Sequence, residues 1–209
     1  DALAAYFEDF EELRGIVLDD TRMDLHDEDY PDSMASLVFD SFFSSVDGIP
    51  DWKGGRFRIN MLPTTSHVYF GSVTGALPDG RRSGEPLSEG ISPVQGADRK
   101  GPTAVLRSAA RIDHLRTGGT LLNQKFTPSV LKDVDGIRKV AQLVRGYFAM
   151  NGHHIQFNVV TAETLRKAQR LPEQYKDLIV RVAGYSDYFV DLGADLQNEI
   201  IRRTEHGSE

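Results

Sequence analysis

Between residues 119 and 183 the chain alternates two periodicities, and this alternation restricts the fold more than any other feature of the sequence. The runs "GTLLNQKF", "HIQFNVV" and "LIVRVAG" are short, rich in β-branched or aromatic residues, and bounded by Gly, Pro or Thr, as strands are. Between the first two lies "DGIRKVAQLVRGYFAM". Its Ile137, Val140, Ala141, Val144, Tyr147 and Phe148 follow the i, i+3, i+4, i+7 spacing of an amphipathic helix that should pack on a sheet. Between the second and third lies "TAETLRKAQRL", with a candidate N-cap at Thr161 and an acid, Glu163, in its first turn. This order predicts two successive right-handed crossovers joining parallel strands, so the fold class is α/β.

The flanking sequence extends this pattern. Residues about 2 to 18 and 32 to 47 read as amphipathic helices, the second with Met34, Leu37, Val38, Phe42 and Phe43 on one side; "SHVYFGSV" reads as a further strand and "ADLQNEIIRRT" as a closing helix. Four or five strands cannot close a barrel, which takes roughly eight, so the sheet should have an open edge and complete itself against another chain or another part of the same polypeptide. The chain starts at Asp1 inside a helical pattern, which suggests a piece of something longer. Residues 75–102 are dense in Gly and Pro; a loop beyond about 15 residues is usually functional or disordered.

Composition narrows the function. A formal charge of −7 argues against neutralising a nucleic-acid backbone, and the separated basic doublets Arg81-Arg82, Arg99-Lys100 and Arg202-Arg203 read as solvated faces. No apolar run approaches the roughly 20 residues of a membrane span and no secretory pattern opens the chain, so a cytoplasmic location is expected. Cysteine is absent, which excludes disulfides, thiolate metal sites and a cysteine nucleophile within these residues.

Several polar groups read as structural. His153 and His154 are adjacent on a strand, point to opposite faces and lack a third ligand at recognisable spacing, so no metal site is expected. Asp113-His114 reads as a cap beside a cation at a helix end, "DLHDEDYPD" as a solvated turn, and Trp52, Tyr69, Phe126 and Phe157 as core or interface. Gly184, where "LIVRV" gives way to "AGYS", is by local rules a hinge tolerating positive φ.

Four long stretches give Gly184 a second reading. "PDGRRSGEPLSEGISPVQGADRKGPTAV", "GTLLNQKFTPS", "HHIQFNVV" and "RVAGYSDYF", in this order and at these separations, resemble the C-terminal part of the glycyl radical enzymes, over essentially the whole chain. The resemblance implies that Gly184 carries the radical and that the fold is the C-terminal portion of a ten-stranded α/β barrel, incomplete here. Residues 1–74 would end the barrel domain and residues 75–209 would form the glycine radical domain. It also implies a cysteine loop outside this chain, a radical S-adenosylmethionine iron-sulfur activase that installs the radical, no bound cofactor, and a homodimer when complete. "MLPTTSHVYFG", "RTGGTLLNQKF" and "GHHIQFNV" look more like the hydroxyproline dehydratase branch than the choline lyase or glycerol dehydratase branches. In that branch the pair matching Thr64 and Thr65 lies near the substrate carboxylate; the local alternative is an ST-turn that satisfies backbone groups. A diol dehydratase-like or pyruvate formate-lyase-like member, a spare radical domain that repairs a damaged enzyme, and a non-catalytic scaffold are the other readings.

Overall fold

Leu121 and Leu122 are neighbours in sequence but are buried in separate cores, and the fold is arranged around that divergence. In the computed structural model, which describes residues 11–13, 16, 27–79 and 81–207, the two leucines lie between β2 (Gly119–Thr120) and β3 (Asn123–Phe126). Ahead of them come α1 (Asp29–Val46), β1 (Asn60–Met61), α2 (Ser66–Ser72) and α3 (Pro102–Ala109). After them follow α4 (Val134–Ala149), β4 (Gln156–Val159), α5 (Ala162–Arg170), β5 (Ile179–Arg181), β6 (Ser186–Tyr188), α6 (Ala194–Arg202) and β7 (Glu205–His206).

The predicted crossover β3–α4–β4 is present. β3 runs parallel to β4, with Asn123 opposite Gln156 and Phe126 opposite Val159, and β7 adds in parallel on the other side of β3. Asp133 caps α4 by accepting from the Gly136 N–H at 2.8 Å, and Thr161 caps α5 by accepting from the Thr164 N–H at 3.1 Å. Leu121 joins Leu165, Val180, Val182, Phe189 and Ile200 in one core, beneath α5 and α6. Leu122 joins Val105, Leu106, Ala109 and Tyr147 in the other, against α3 and α4.

Several expectations are corrected. The second crossover does not add a parallel strand: β5 turns back on β6 as an antiparallel hairpin, in a two-stranded sheet separate from β3 and β4. "SHVYFGSV" is the helix α2, not a strand; the neighbouring strand is β1, parallel to β2. Its β-branched and aromatic residues satisfied the strand pattern, but Gly71 lies so close to Glu85 and Pro86 that a Cβ there would meet the Glu85 carbonyl oxygen at 2.2 Å. That approach of α2 to the 85–86 backbone is a long-range fact that no local period encodes. Of the expected helix at 2–18, residues 11–13 and 16 are helical and the rest lies outside the described residues. The apolar stripes are also less covered than expected. Met34, Leu37, Val38 and Phe42 of α1 are exposed, as are Ile137 and Phe148 of α4, whereas Tyr147 is fully buried.

Charged groups expected in solvent are partly buried. Asp32 accepts from Ser108 Oγ and pairs with Arg111 Nε, both at 3.0 Å, and with Asp27–Arg107 it docks α1 on α3. Arg81 is buried and donates to the Thr74, Gly75 and Glu85 carbonyls, which orders the Gly/Pro-rich segment. Arg203 pairs with Glu199. Asp113 caps as expected, accepting from the Leu115 N–H, but His114 is no dipole-satisfying cation. It is buried, its Nε2 donates to the Ala109 carbonyl at 2.8 Å, its Nδ1 lies 3.0 Å from Thr120 Oγ1, and burial lowers its pKa. Trp52 and Tyr69 are exposed, while Phe126 is buried and stacks on Phe157. Among the described residues no helix is long and apolar enough to cross a membrane.

Two glycines give a paired test of these contacts. Gly71→Ala forces a methyl into the 85–86 backbone and is expected to lower stability by about 1–3 kcal/mol. Gly146→Ala, in α4 with open space around it, is expected to raise stability by about 0.5–1 kcal/mol. Denaturant titration of both variants checks the opposite signs.

Candidate functional site

The β5–β6 hairpin turns over at Ala183-Gly184, closed by the Val182 N–H donating to the Tyr185 carbonyl at 2.8 Å. Gly184 has φ +83°, in the left-handed region that a side chain disfavours. The space is restricted as well. A Cβ on Gly184 would stand 3.2 Å from Leu121 Cδ1 and 3.4 Å from Leu62 Cδ1. Those leucines follow the paired strands β2 and β1, so the parallel pairing of Asn60 with Gly119 and Met61 with Thr120 is what brings both under the turn.

Leu62, two positions ahead of Thr64, touches the Gly184 turn, and Pro63 intervenes. Thr64 is exposed with φ +58°. Thr65 occupies the N-cap position of α2, yet its hydroxyl makes no capping bond, so the ST-turn alternative is not realised at this cap.

Sequence reasoning missed the buried polar residues beneath the turn. Asn158 Nδ2 donates to the Arg181 carbonyl and its Oδ1 accepts from the Arg181 N–H, each at 2.8 Å. Gln156 Oε1 accepts from Arg181 Nε and Nη2 at 3.1 and 2.8 Å, and Arg181 Nη1 donates to Ser186 Oγ at 3.0 Å. Asn123 Nδ2 donates to the Val182 carbonyl at 3.1 Å and to Glu89, while Asn123 Oδ1 accepts from Gln156 Nε2. Ser92 links the loop to the strand: its Oγ donates to Glu89 Oε2 at 2.9 Å and accepts from the Asn123 N–H at 2.8 Å. The available signal was alternation, since Asn123, Gln156 and Asn158 are polar residues in strand runs that read as buried.

Two buried carboxyls beside this network behave oppositely. Burial pushes the Glu89 carboxyl up to about 7, against the pull of Arg203, Asn123 and Ser92. Burial also opposes ionisation of Glu199, but Arg203, His67 and Gln95 outweigh it and hold that carboxyl at about 2. Lys125 is buried, with no ion pair to an acid among the described residues; its ammonium donates to the Ile201 carbonyl at 2.9 Å in the last turn of α6, and burial lowers its pKa to about 8. Among the described residues no cluster of three His, Cys, Asp or Glu side chains is placed to hold a metal ion.

Known proteins are similar to this chain in sequence and in fold. Residues 87–190 match the family model described as glycine radical, and residues 1–71 match the one described as pyruvate formate lyase-like. Trans-4-hydroxy-L-proline dehydratase of Clostridioides difficile is 52% identical over 204 residues, 98% of this chain and 26% of that protein. (2S)-3-sulfopropanediol dehydratase of Klebsiella oxytoca is 38% identical over 185 residues, 86% of this chain and 22% of that protein. The crystal structure of the Clostridioides difficile hydroxyproline dehydratase with trans-4-hydroxy-L-proline bound matches 99% of this chain and 26% of that one, with a TM-score of 0.94 and 51% identity. The glycerol-bound B12-independent glycerol dehydratase from Clostridium butyricum matches with a TM-score of 0.93 and 43% identity, over 99% of this chain and 26% of that one. The chain thus spans about a quarter of the length of these relatives.

Glu89 supplies a pH test of the network. The fold penalises its charged form, so its contribution is fully present below about pH 4.5 and is lost as pH rises through about 7. Glu89→Gln cannot ionise. Its stability relative to the parent protein is therefore expected to improve by on the order of 2–3 kcal/mol between about pH 5 and pH 8, read by denaturant titration. Parallel curves for the two proteins would show that Glu89 titrates normally.

Proposed function

Because the chain belongs to the glycyl radical enzymes, we propose that it is the radical-bearing portion of a dehydratase acting on trans-4-hydroxy-L-proline or a close analogue, with Gly184 as the radical carrier. The observation that carries this reading is the turn itself. Gly184 lies within the glycine radical match, at positive φ, with leucine methyls 3.2 and 3.4 Å from where a Cβ would stand. When Cα loses a hydrogen atom, the unpaired electron spreads over the flanking amide nitrogen and carbonyl only if the backbone flattens, and glycine has no Cβ to oppose that.

In this reading a radical S-adenosylmethionine iron-sulfur activase removes the hydrogen atom. The stored radical later takes a hydrogen atom from a cysteine thiol outside this chain, which restores Gly184 and leaves the thiyl that attacks substrate. The complete enzyme is a ten-stranded α/β barrel, cytoplasmic and homodimeric. Residues 1–74 end its barrel domain and residues 75–209 form the radical domain; the two family matches leave their border between 72 and 86, which supports that division. The exposed apolar face of α1 suits contact with the Cys-bearing portion. The Thr65 hydroxyl, which makes no capping bond, and the approach of Leu62 to Gly184 support Thr64 and Thr65 as contacts for the substrate carboxylate.

Air tests the carrier. After anaerobic activation of the complete enzyme, dioxygen is expected to add at Gly184 Cα and cut the main chain there, giving a short C-terminal peptide beginning near Tyr185 in the mass spectrum. Gly184→Ala should abolish both the cut and the radical signal; cleavage at another glycine would reassign the carrier.

The substrate is tested separately. Replacing Thr64 and Thr65 together by Ala should raise KM for hydroxyproline at least about tenfold while radical yield stays at the parent level. An unchanged KM removes the pair from the site, and turnover of an uncharged diol alone would favour the diol dehydratase reading.

A further inference from the structure

We infer that Asn158, supported by Asn123 and Gln156, is the positioning residue that sets where Gly184 stands, an assignment that rests on Gly184 being the radical carrier. The hairpin that holds Gly184 has no backbone ladder to β4; among the described residues β5 and β6 pair only with each other. In an antiparallel pair, bonded and non-bonded residue pairs alternate. The Val182 N–H donates to the Tyr185 carbonyl, so the next pair, Arg181 and Ser186, turns its peptide groups outward. Arg181 therefore presents a free N–H and a free C=O toward β4, where a strand neighbour would normally meet them.

Asn158 meets them instead. Its Oδ1 accepts from the Arg181 N–H and its Nδ2 donates to the Arg181 C=O, both at 2.8 Å, with Arg203 Nη1 farther from that carbonyl at 3.4 Å. A carboxamide carries a donor and an acceptor in one plane, as a peptide group does, so a single side chain takes the place of a paired strand residue. Asn123 holds the next carbonyl, that of Val182, and Gln156 holds the Arg181 guanidinium. Asn123, Gln156 and Asn158 are all buried, and they lie on β3 and β4, which pair with each other along their whole length. Their frame is therefore rigid, and the backbone two and three residues ahead of Gly184 is held to it by side chains. Gly184 itself is exposed, and among the described residues a Cβ there would meet only two leucine methyls within 4 Å, so the hydrogen bonds that hold the turn to β3 and β4 are those at Arg181 and Val182.

Two substitutions that keep the branched shape of the side chain separate the bonds from the packing. Asn158→Leu removes both, and Asn158→Asp keeps the acceptor and removes the donor. In the complete, unactivated enzyme, hydrogen exchange at the Arg181 amide is expected to quicken about tenfold in Asn158→Leu and to stay near the parent rate in Asn158→Asp, with α5 unchanged in both. In the activated enzyme, turnover per unpaired spin is expected to fall about tenfold in Asn158→Leu and less in Asn158→Asp, with KM unchanged. Unaltered exchange at Arg181, or a loss of spins with turnover per spin preserved, would overturn the assignment, since a merely structural role predicts the latter. If Asn158→Leu does not fold, turnover per spin in Asn158→Asp decides, with the parent value overturning the proposal. Absence of any radical in the unsubstituted enzyme would instead refute Gly184 as carrier, and the exchange measurement would still decide whether Asn158 holds the hairpin.

Discussion

The structure depends on three buried carboxamides, Asn123, Gln156 and Asn158, which carry out between β4 and β5 the pairing that backbone carries out elsewhere. A buried donor or acceptor left without a partner costs about 1–3 kcal/mol, so the network is sound only while every member is matched. Asn123 shows how closely it is matched: its oxygen accepts from Gln156 and its nitrogen serves both Val182 and Glu89. Through Glu89 and Ser92 the same bonds reach the 75–102 segment, which joins the loop, the central strand and the Gly184 turn in one hydrogen-bonded unit.

The C-terminal helix closes that unit from the far side. Glu199 of α6 pairs with Arg203 one turn later and accepts from Gln95 at 2.9 Å, while Asp98 meets Thr204 and His206. Burying charges is costly unless they are paired and hydrogen-bonded; Glu199 pairs at its own helix end, while its bond from Gln95 and that of Thr204 to Asp98 tie the 75–102 segment to the C-terminal helix. Lys125 adds the last tie, its ammonium set on the carbonyls that end α6. A region dense in glycine and proline is thereby ordered by side chains, because its own backbone makes few regular bonds.

Much of this was legible where the information is local. The helical stripe of α4, the Thr161 cap of α5, the strand runs of β3 and β4 and the turn at Gly184 all follow from spacing and residue type over a dozen positions or fewer. Residues 66–73 misled because β-branched and aromatic content is shared by strands and buried helices, and only the closeness of Gly71 to Glu85 and Pro86 distinguishes them. Asp32 looked solvated for a related reason: a charge reads as exposed until its partner is known, and Arg111 lies far along the chain; Arg81 and Arg203 find nearer partners that residue type alone does not single out.

The sequence by itself determined the α/β class, the order of most elements, the absence of any thiol within these residues, and Gly184 as the position where a turn needs positive φ. Each depends on residue type and short-range sterics, which a chain carries wherever it folds. The tertiary structure decided that β5 folds back on β6 instead of joining β4, that Leu62 and Leu121 meet under the turn, and that side-chain amides hold the hairpin in place. Those outcomes depend on which distant groups come within bonding distance, and strand pairing and buried-polar matching are settled only when the whole set of contacts forms together.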